Sequence, residues 1–310
     1  MPYLVRKEEG GGTVIGISLE ASSWRGAFTA GVLRTFGMRG AFPDLVSGSS
    51  AGACNGAAYI SGQLDVLAGN WIDLAAQPIV DLRREARRAN AGSIFNMSCI
   101  FHIALDRGLR PEALEALSAS PVEFLIVATR LADRAASSDY WNDRFLLHYP
   151  LALRFARMAR REIPPPPFER VVFSSRDPLT RQNFRAVIYA SGRIPILYAV
   201  RARIDGAHFI DGGFTDKNPV EPLLDRGCDR VLAIVSRPDG IVRESFFHPR
   251  ESAAVQAARR EGRLLVIHPQ RNLGVSKYSW SVRRVKRAVR LGEEAGEAFL
   301  IEHGDRFFGA

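Results

Sequence analysis

The stretch FPDLVSGSSAGACN, residues 42–55, constrains this chain more than any other. A short apolar run ends at Gly48-Ser49-Ser50-Ala51-Gly52. Small residues (Ala51, Gly52, Ala53, Gly56, Ala57, Ala58) then continue at helical spacing. The order is strand, sharp turn, helix, with a serine at the turn in the pattern G-x-S-x-G. Such a turn holds Ser50 in a strained conformation that exposes its hydroxyl, and Gly48 and Gly52 keep side chains out of the elbow. The helix that follows directs its first N–H groups and positive dipole end at negative charge forming beside Ser50. The plainer reading of the same five residues is a small-residue turn packing a helix on a sheet, so context decides.

A similar corner comes earlier. Thr13 to Leu19 (TVIGISL) reads as a buried strand and runs through Glu20-Ala21-Ser22-Ser23-Trp24-Arg25-Gly26 into a helix carrying Ala27, Ala30, Val32, Leu33 and Phe36. Two successive strand-to-helix units predict a three-layer α/β/α sandwich with a mainly parallel central sheet. Further along, the pattern predicts a helix over 65–88 with an arginine-rich tail, a short helix from Pro111 to Leu117 and a buried strand over 122–128. A hairpin over 201–209 turns at Asp205-Gly206, and strands at 231–235 and 264–267 precede a closing helix over 282–302. That helix is basic in its first half and acidic in its second. With 310 residues and no long polar linker, one domain over 1–310 is expected, with an insertion at 133–170 and a C-terminal helical extension from about 245.

The net charge of +9 suits an anionic membrane surface, an acidic substrate or nucleic acid. No nucleic-acid motif accompanies it, and no nucleic-acid partner is expected. Within the insertion, Leu151, Phe155, Met158 and Ala159 share one side of a helical plot, while Arg154, Arg157, Arg160 and Arg161 share the other. Such a stretch can lie on an anionic lipid surface, and an ordinary surface helix has the same pattern. Three cysteines, Cys54, Cys99 and Cys228, are odd in number and far apart, which argues against a disulfide framework. The opening MPYLVRKEEGGG has no apolar core of signal-peptide length, and no run reaches the roughly 18 apolar residues that span a bilayer. A cytoplasmic protein with at most peripheral membrane contact is expected, without metal or cofactor.

A serine hydroxyl is unreactive at neutral pH without a base to take its proton. Asp211 stands out because Gly212 and Gly213 leave room for close approach, although Asp-Gly-Gly is also an ordinary turn. In the chain order Ser–acid–His, Ser50 and Asp211 would precede His248 or His268. Neither histidine sits in a tight small-residue turn, and each is followed by proline.

Four segments then fall in one order: LEASSWRGAFTAGVL at 19–33, GSSAGACN at 48–55, ASGRIPIL at 190–197 and DGGFTDKNP at 211–219. With these the chain resembles the patatin-like phospholipase family, in particular its compact bacterial members, over most of residues 14–300. The resemblance implies a Ser–Asp dyad without histidine, Ser50 as nucleophile and Asp211 as base. It implies hydrolysis of lipid acyl esters through an acyl-enzyme, with an oxyanion hole built from Ala21, Ser22, Ser23, Trp24, Arg25 and Gly26. Two departures matter. The family's three loop glycines are Ala21-Ser22-Ser23 here, where a Cβ obstructs torsions and clearance that glycine allows. The family's Ala-Thr-Asp after the third strand is Ala128-Thr129-Arg130. An acyltransferase or non-lipid (thio)ester hydrolase on the same dyad, or a weak or inactive lipid-binding homologue, are the alternatives this leaves.

Overall fold

Eight strands form one sheet in the computed structural model, which describes residues 12–131, 168–195, 197–276 and 281–309. They are β1 (Ile15–Leu19), β2 (Leu45–Ser49), β3 (Glu123–Leu131), β4 (Phe168–Ser174), β5 (Ala202–Ile204), β6 (Ala207–Asp211), β7 (Arg230–Ile234) and β8 (Leu264–Ile267). Five of them, in the order β3-β2-β1-β7-β8, are parallel. Such strands are buried on both faces, so they read as near-continuous apolar runs.

Successive side chains point to opposite faces, and the two faces carry separate cores. Ile17, Leu19, Val46, Phe124, Ile126 and Leu232 pack on α1 (Gly26–Met38), α2 (Ala51–Ile60) and two later helices. On the other face, Leu45, Leu125, Val231 and Ala233 meet a smaller layer. The remaining helices among the described residues are α3 (Leu64–Leu74), α4 (Arg84–Ala89), α5 (Met97–Gly108), α6 (Pro111–Ala119), α7 (Pro178–Gln182), α8 (Phe184–Gly192), α9 (Glu221–Asp225), α10 (Ala253–Arg260) and α11 (Val282–Phe308). Helices α8 and α11 complete the first layer through Val187, Ile188, Val285 and Ala288. Helices α9 and α10 form the other through Leu223, Val255 and Ala258. The result is a three-layer α/β/α sandwich with unequal outer layers.

Strand β3 positions the site. Its residues 125–127 pair with β2 and with β4, so those two strands lie on opposite edges. Residues 128–130 pair with β4 and with β6, so β6 takes over the edge that β2 leaves. Parallel β2 ends beside Val127, and antiparallel β6 ends beside Ala128. The ends of two strands far apart in sequence therefore meet head to head on one rail.

Helices α1 and α11 run side by side in the same direction. A Cβ at Gly31 would lie 2.1 Å from the Val289 carbonyl oxygen, one at Gly292 would lie 2.0 Å from that of Phe28, and one at Gly296 would lie 3.1 Å from Thr35 Cβ. Only glycine permits this approach.

Two expectations change. The helix expected over 65–88 is two helices, α3 and α4, because Pro78 lacks an N–H and biases Gln77 toward extended backbone. Val80 instead forms an antiparallel bridge with Phe95. The closing helix continues past 302 to Phe308, where Phe307 and Phe308 stack edge-on and Phe308 also meets Phe36. The hairpin turns at Asp205 (φ 47°) and Gly206 (φ 76°), as expected. The basic stretch with Arg154, Arg157, Arg160 and Arg161 lies outside the described residues.

Candidate active site

Ser50 sits between β2 and α2 at φ 55°, ψ −118°, a conformation that side chains adopt only under strain. Two features enforce it. A Cβ at Gly52 would lie 2.2 Å from the Leu19 carbonyl oxygen, and one at Gly48 would lie 2.8 Å from the Ala53 nitrogen. The Ser50 N–H donates to Ser191 Oγ at 2.9 Å, and Ser191 donates in turn to the Val127 carbonyl at 2.6 Å. Ser191, on the last turn of α8, thus fastens the elbow to the β3 rail.

At that junction the Ser50 hydroxyl donates to Asp211 Oδ2 at 2.5 Å. The Asp211 side chain is fully buried, and its Oδ1 accepts from the Gly213 N–H at 2.8 Å. Thr129 donates its hydroxyl to the Asp211 carbonyl at 2.9 Å, and the Asp211 N–H donates to the Arg193 carbonyl at 2.8 Å. A Cβ at Gly212 would lie 2.2 Å from the Val127 carbonyl oxygen, so the Asp-Gly-Gly turn lies flat on the rail. The Cys54 thiol is pushed up to about 12, by burial first and then by the Asp211 carboxylate. It is therefore no competing nucleophile at neutral pH. His248 and His268 make their described ring contacts elsewhere, to Ser245 Oγ and to the Pro269 carbonyl, both at 3.3 Å.

The loop from β1 to α1 reaches the same pocket. The Ala21 N–H donates to the Lys217 carbonyl at 2.8 Å. Ser22 lies at φ −125°, ψ 0°, outside the left-handed region, and its buried hydroxyl has no partner among the described residues. Ser23 is at φ 52°, so it alone of the three residues replacing glycine takes a left-handed torsion. Trp24 packs edge-on against Trp71 with ring centroids 5.9 Å apart. Asn55 then clips the helix start, donating to the Gly26 carbonyl at 2.9 Å and accepting from Trp71 Nε1 at 2.8 Å.

Behind this loop lies a buried polar network. Glu20, fully buried, is ion-paired with Lys217. Its other oxygen accepts from the Ser236 N–H at 2.6 Å and the Ser236 hydroxyl at 2.5 Å. Arg25 Nε donates to Ser236 Oγ at 3.0 Å. The Arg25 guanidinium is pulled down to about 10, chiefly by burial and next by Arg237 and Arg243. Glu20 and Arg25 flank Ala21–Trp24, so the network pins both ends of the loop. Lys217 lies six residues past Asp211, which ties the loop to the turn carrying the carboxylate.

Sequence reading found Ser50, Asp211 and the loop but not what holds them. Glu20, Ser191, Lys217 and Thr129 lie in segments the sequence singles out, but neither they nor Ser236 carry a local sign of their partners, which are 64 to 216 residues away. Arg130, where the family has an acid, is exposed and pairs with Glu169 on β4. Among the described residues, no group of three or more His, Cys, Asp or Glu side chains forms a metal-ligand set.

Ser23, Trp24 and Ser50 line one pocket. Its walls are mostly apolar: Cys54, Ala57 and Ala58 from α2, Leu67 and Trp71 from α3, Ile100 and Leu105 from α5. From Ala51 to Ala58 it follows α2 for about 10 Å at 1.5 Å per residue. No described helix is long and apolar enough to cross a membrane.

A family model described as patatin-like phospholipase matches residues 17–224, which include Ser50, Asp211 and the whole loop between β1 and α1. The uncharacterized protein YjjU of Escherichia coli strain K12 is 27% identical over 226 residues, 72% of this chain and 52% of its own length. The chain thus spans about half the length of that relative. Among solved structures, VipD from Legionella pneumophila aligns over 94% of this chain and 67% of its own, with a TM-score of 0.42 and 15% identity. Human GIVD cytosolic phospholipase A2 aligns over 53% and 22%, with a TM-score of 0.30 and 16% identity.

Proposed function

The chain belongs to the patatin-like phospholipase family, and from that membership we propose that it is a serine acyl hydrolase cleaving lipid acyl esters through a Ser50–Asp211 dyad. The observation that carries this reading is the Ser50 hydroxyl held 2.5 Å from a buried carboxylate at the mouth of an apolar pocket.

Asp211 accepts the Ser50 proton at Oδ2 as Oγ attacks the acyl carbonyl carbon. Charge builds on the carbonyl oxygen, facing N–H groups of the loop after Ala21, whose own N–H is taken by the Lys217 carbonyl, and of the first turn of α2. Collapse breaks the ester bond, and Asp211 returns its proton to the departing alcohol. Ser50 is left acylated. Water then attacks the acyl-enzyme, again giving its proton to Asp211, and the fatty acid leaves with Ser50 restored. The pocket along α2 suits one acyl chain, because it offers hydrocarbon walls beside the reacting oxygen.

Mass spectrometry of purified protein incubated with mixed phospholipids, lysophospholipids and acyl thioesters tests this. Free fatty acid should appear from a lipid ester with wild type and not with Ser50→Ala. Acyl groups recovered on an added alcohol rather than as free acid would assign acyl transfer instead. Ser50→Ala turnover near wild type would end the serine-hydrolase reading.

A further inference from the structure

Helix α11 is divided by charge, and its two halves are used differently. In the second half, Glu293 pairs with Arg34 at 2.6 Å and Glu297 with Arg39 at 2.5 Å, both on α1. In the first half, Arg283, Lys286, Arg287 and Arg290 are all exposed, and none has a carboxylate partner among the described residues. No acidic residue occupies the first turn. Cations in the first turns of a helix also oppose its macrodipole. Arg283, in the first turn, gains nothing from the dipole, and with no described carboxylate on any of the four the patch is open to an external anion.

The cations border an apolar groove. It is lined by Ala68 and Ile72 of α3 and by Val282, Val289, Arg283, Lys286, Arg290 and Glu293 of α11, the last already paired with Arg34. Two observations tie it to the active site. A neighbouring face of α3, through Leu67 and Trp71, walls the pocket beside Ser50. The parallel register of α1 and α11, with Gly296 against Thr35, also sets Lys286 level with Arg25 at the end of the β1–α1 loop. Groove and pocket thus flank one helix at one end of the sheet. The groove's α11 side lies beyond residue 224, outside the span matched by the family model.

We propose that this basic groove docks the protein on an anionic phospholipid bilayer, bringing the mouth of the pocket to the lipid surface. The choice of lipid over other polyanions rests on the lipid-hydrolase reading above. Charge complementarity supports it: the chain carries a net +9, the groove's cations meet headgroup phosphates, and its apolar side chains meet the acyl boundary.

The test is sedimentation of the intact protein with phosphatidylcholine vesicles, with and without phosphatidylglycerol, at low and high salt. Wild type should bind the anionic vesicles, and high salt should release it. The triple variant Arg283→Gln/Lys286→Gln/Arg290→Gln should bind them about a hundredfold more weakly. Its hydrolysis of a soluble short-chain ester should be unchanged. The triple variant Arg84→Gln/Arg87→Gln/Arg88→Gln, on α4, loses the same charge and should bind almost as wild type. Equal loss in both variants, retained binding in the groove variant, or wild-type binding indifferent to phosphatidylglycerol or salt overturns the proposal. The salt arm needs no variant, so misfolding cannot mask a negative result. A protein that docks through the groove but hydrolyses no ester keeps the docking surface and sinks the hydrolase reading. One that hydrolyses esters but fails the vesicle arms does the reverse.

Discussion

The corner between β2 and α2 and the corner between β1 and α1 each hold a serine in the left-handed region, Ser50 at φ 55° and Ser23 at φ 52°. They do so by different means. At Ser50 the cause is local: Gly48 and Gly52 let backbone approach where any Cβ would collide, and Ser191 supplies one fastening bond. At Ser23 no glycine stands until Gly26, and the loop is held from behind by Glu20, Lys217, Ser236 and Arg25. A loop that has lost its glycines can keep a glycine-like torsion when buried charge anchors both its ends. In the proposed reaction the first corner presents the reacting hydroxyl and the second the amides that meet developing charge.

That contrast can be broken most sharply at the base. Asp211→Asn removes the proton acceptor while leaving a side chain of nearly the same size, so kcat should fall at least about 10³-fold. A fall of less than tenfold would transfer the base role to another group and separate Asp211 from the elbow.

Next in size is the network behind the loop. Glu20→Gln leaves Lys217 buried without its counter-charge, which costs about 3–5 kcal/mol and should lower the melting temperature by about ten degrees. With the loop loosened, kcat should drop roughly ten- to a hundredfold while KM changes little, because the loop's donors act on transition-state charge. The double variant Glu20→Gln/Lys217→Met should recover much of the melting temperature, since no lone charge remains. Unchanged kcat in Glu20→Gln would mean the network supports only the fold.

The smallest effect belongs to Ser23→Gly. Ser23 already holds the torsion that glycine would adopt, so kcat should stay within about threefold of wild type. A rise of tenfold or more would mean that the serine side chain tilts the loop amides away from the site. The two corners would then differ in competence as well as in construction.

These differences also mark how far the sequence could be read. The elbow was legible because its cause lies within five residues, Gly48 to Gly52. Asp211 was visible as a carboxylate before two glycines. Its meeting with Ser50 depends on β3 exchanging β2 for β6 at Val127 and Ala128, a register no local pattern carries. The substituted loop read as a departure because its compensation, Lys217 against Glu20, is separated by 197 residues. Pro78 is the local sign of the break within the expected 65–88 helix, which the structure divides into α3 and α4.

The central claim, that Ser50 is the nucleophile and Asp211 its base, is tested most directly by intact-mass spectrometry after exposure to an active-site fluorophosphonate, with the adduct mapped by peptide digestion. Wild type should gain one adduct, on Ser50. Ser50→Ala should gain none, and Asp211→Asn should label slower by about the factor lost in its kcat. An adduct mapped to another residue, or Ser50→Ala labelled as fast as wild type, would contradict the account.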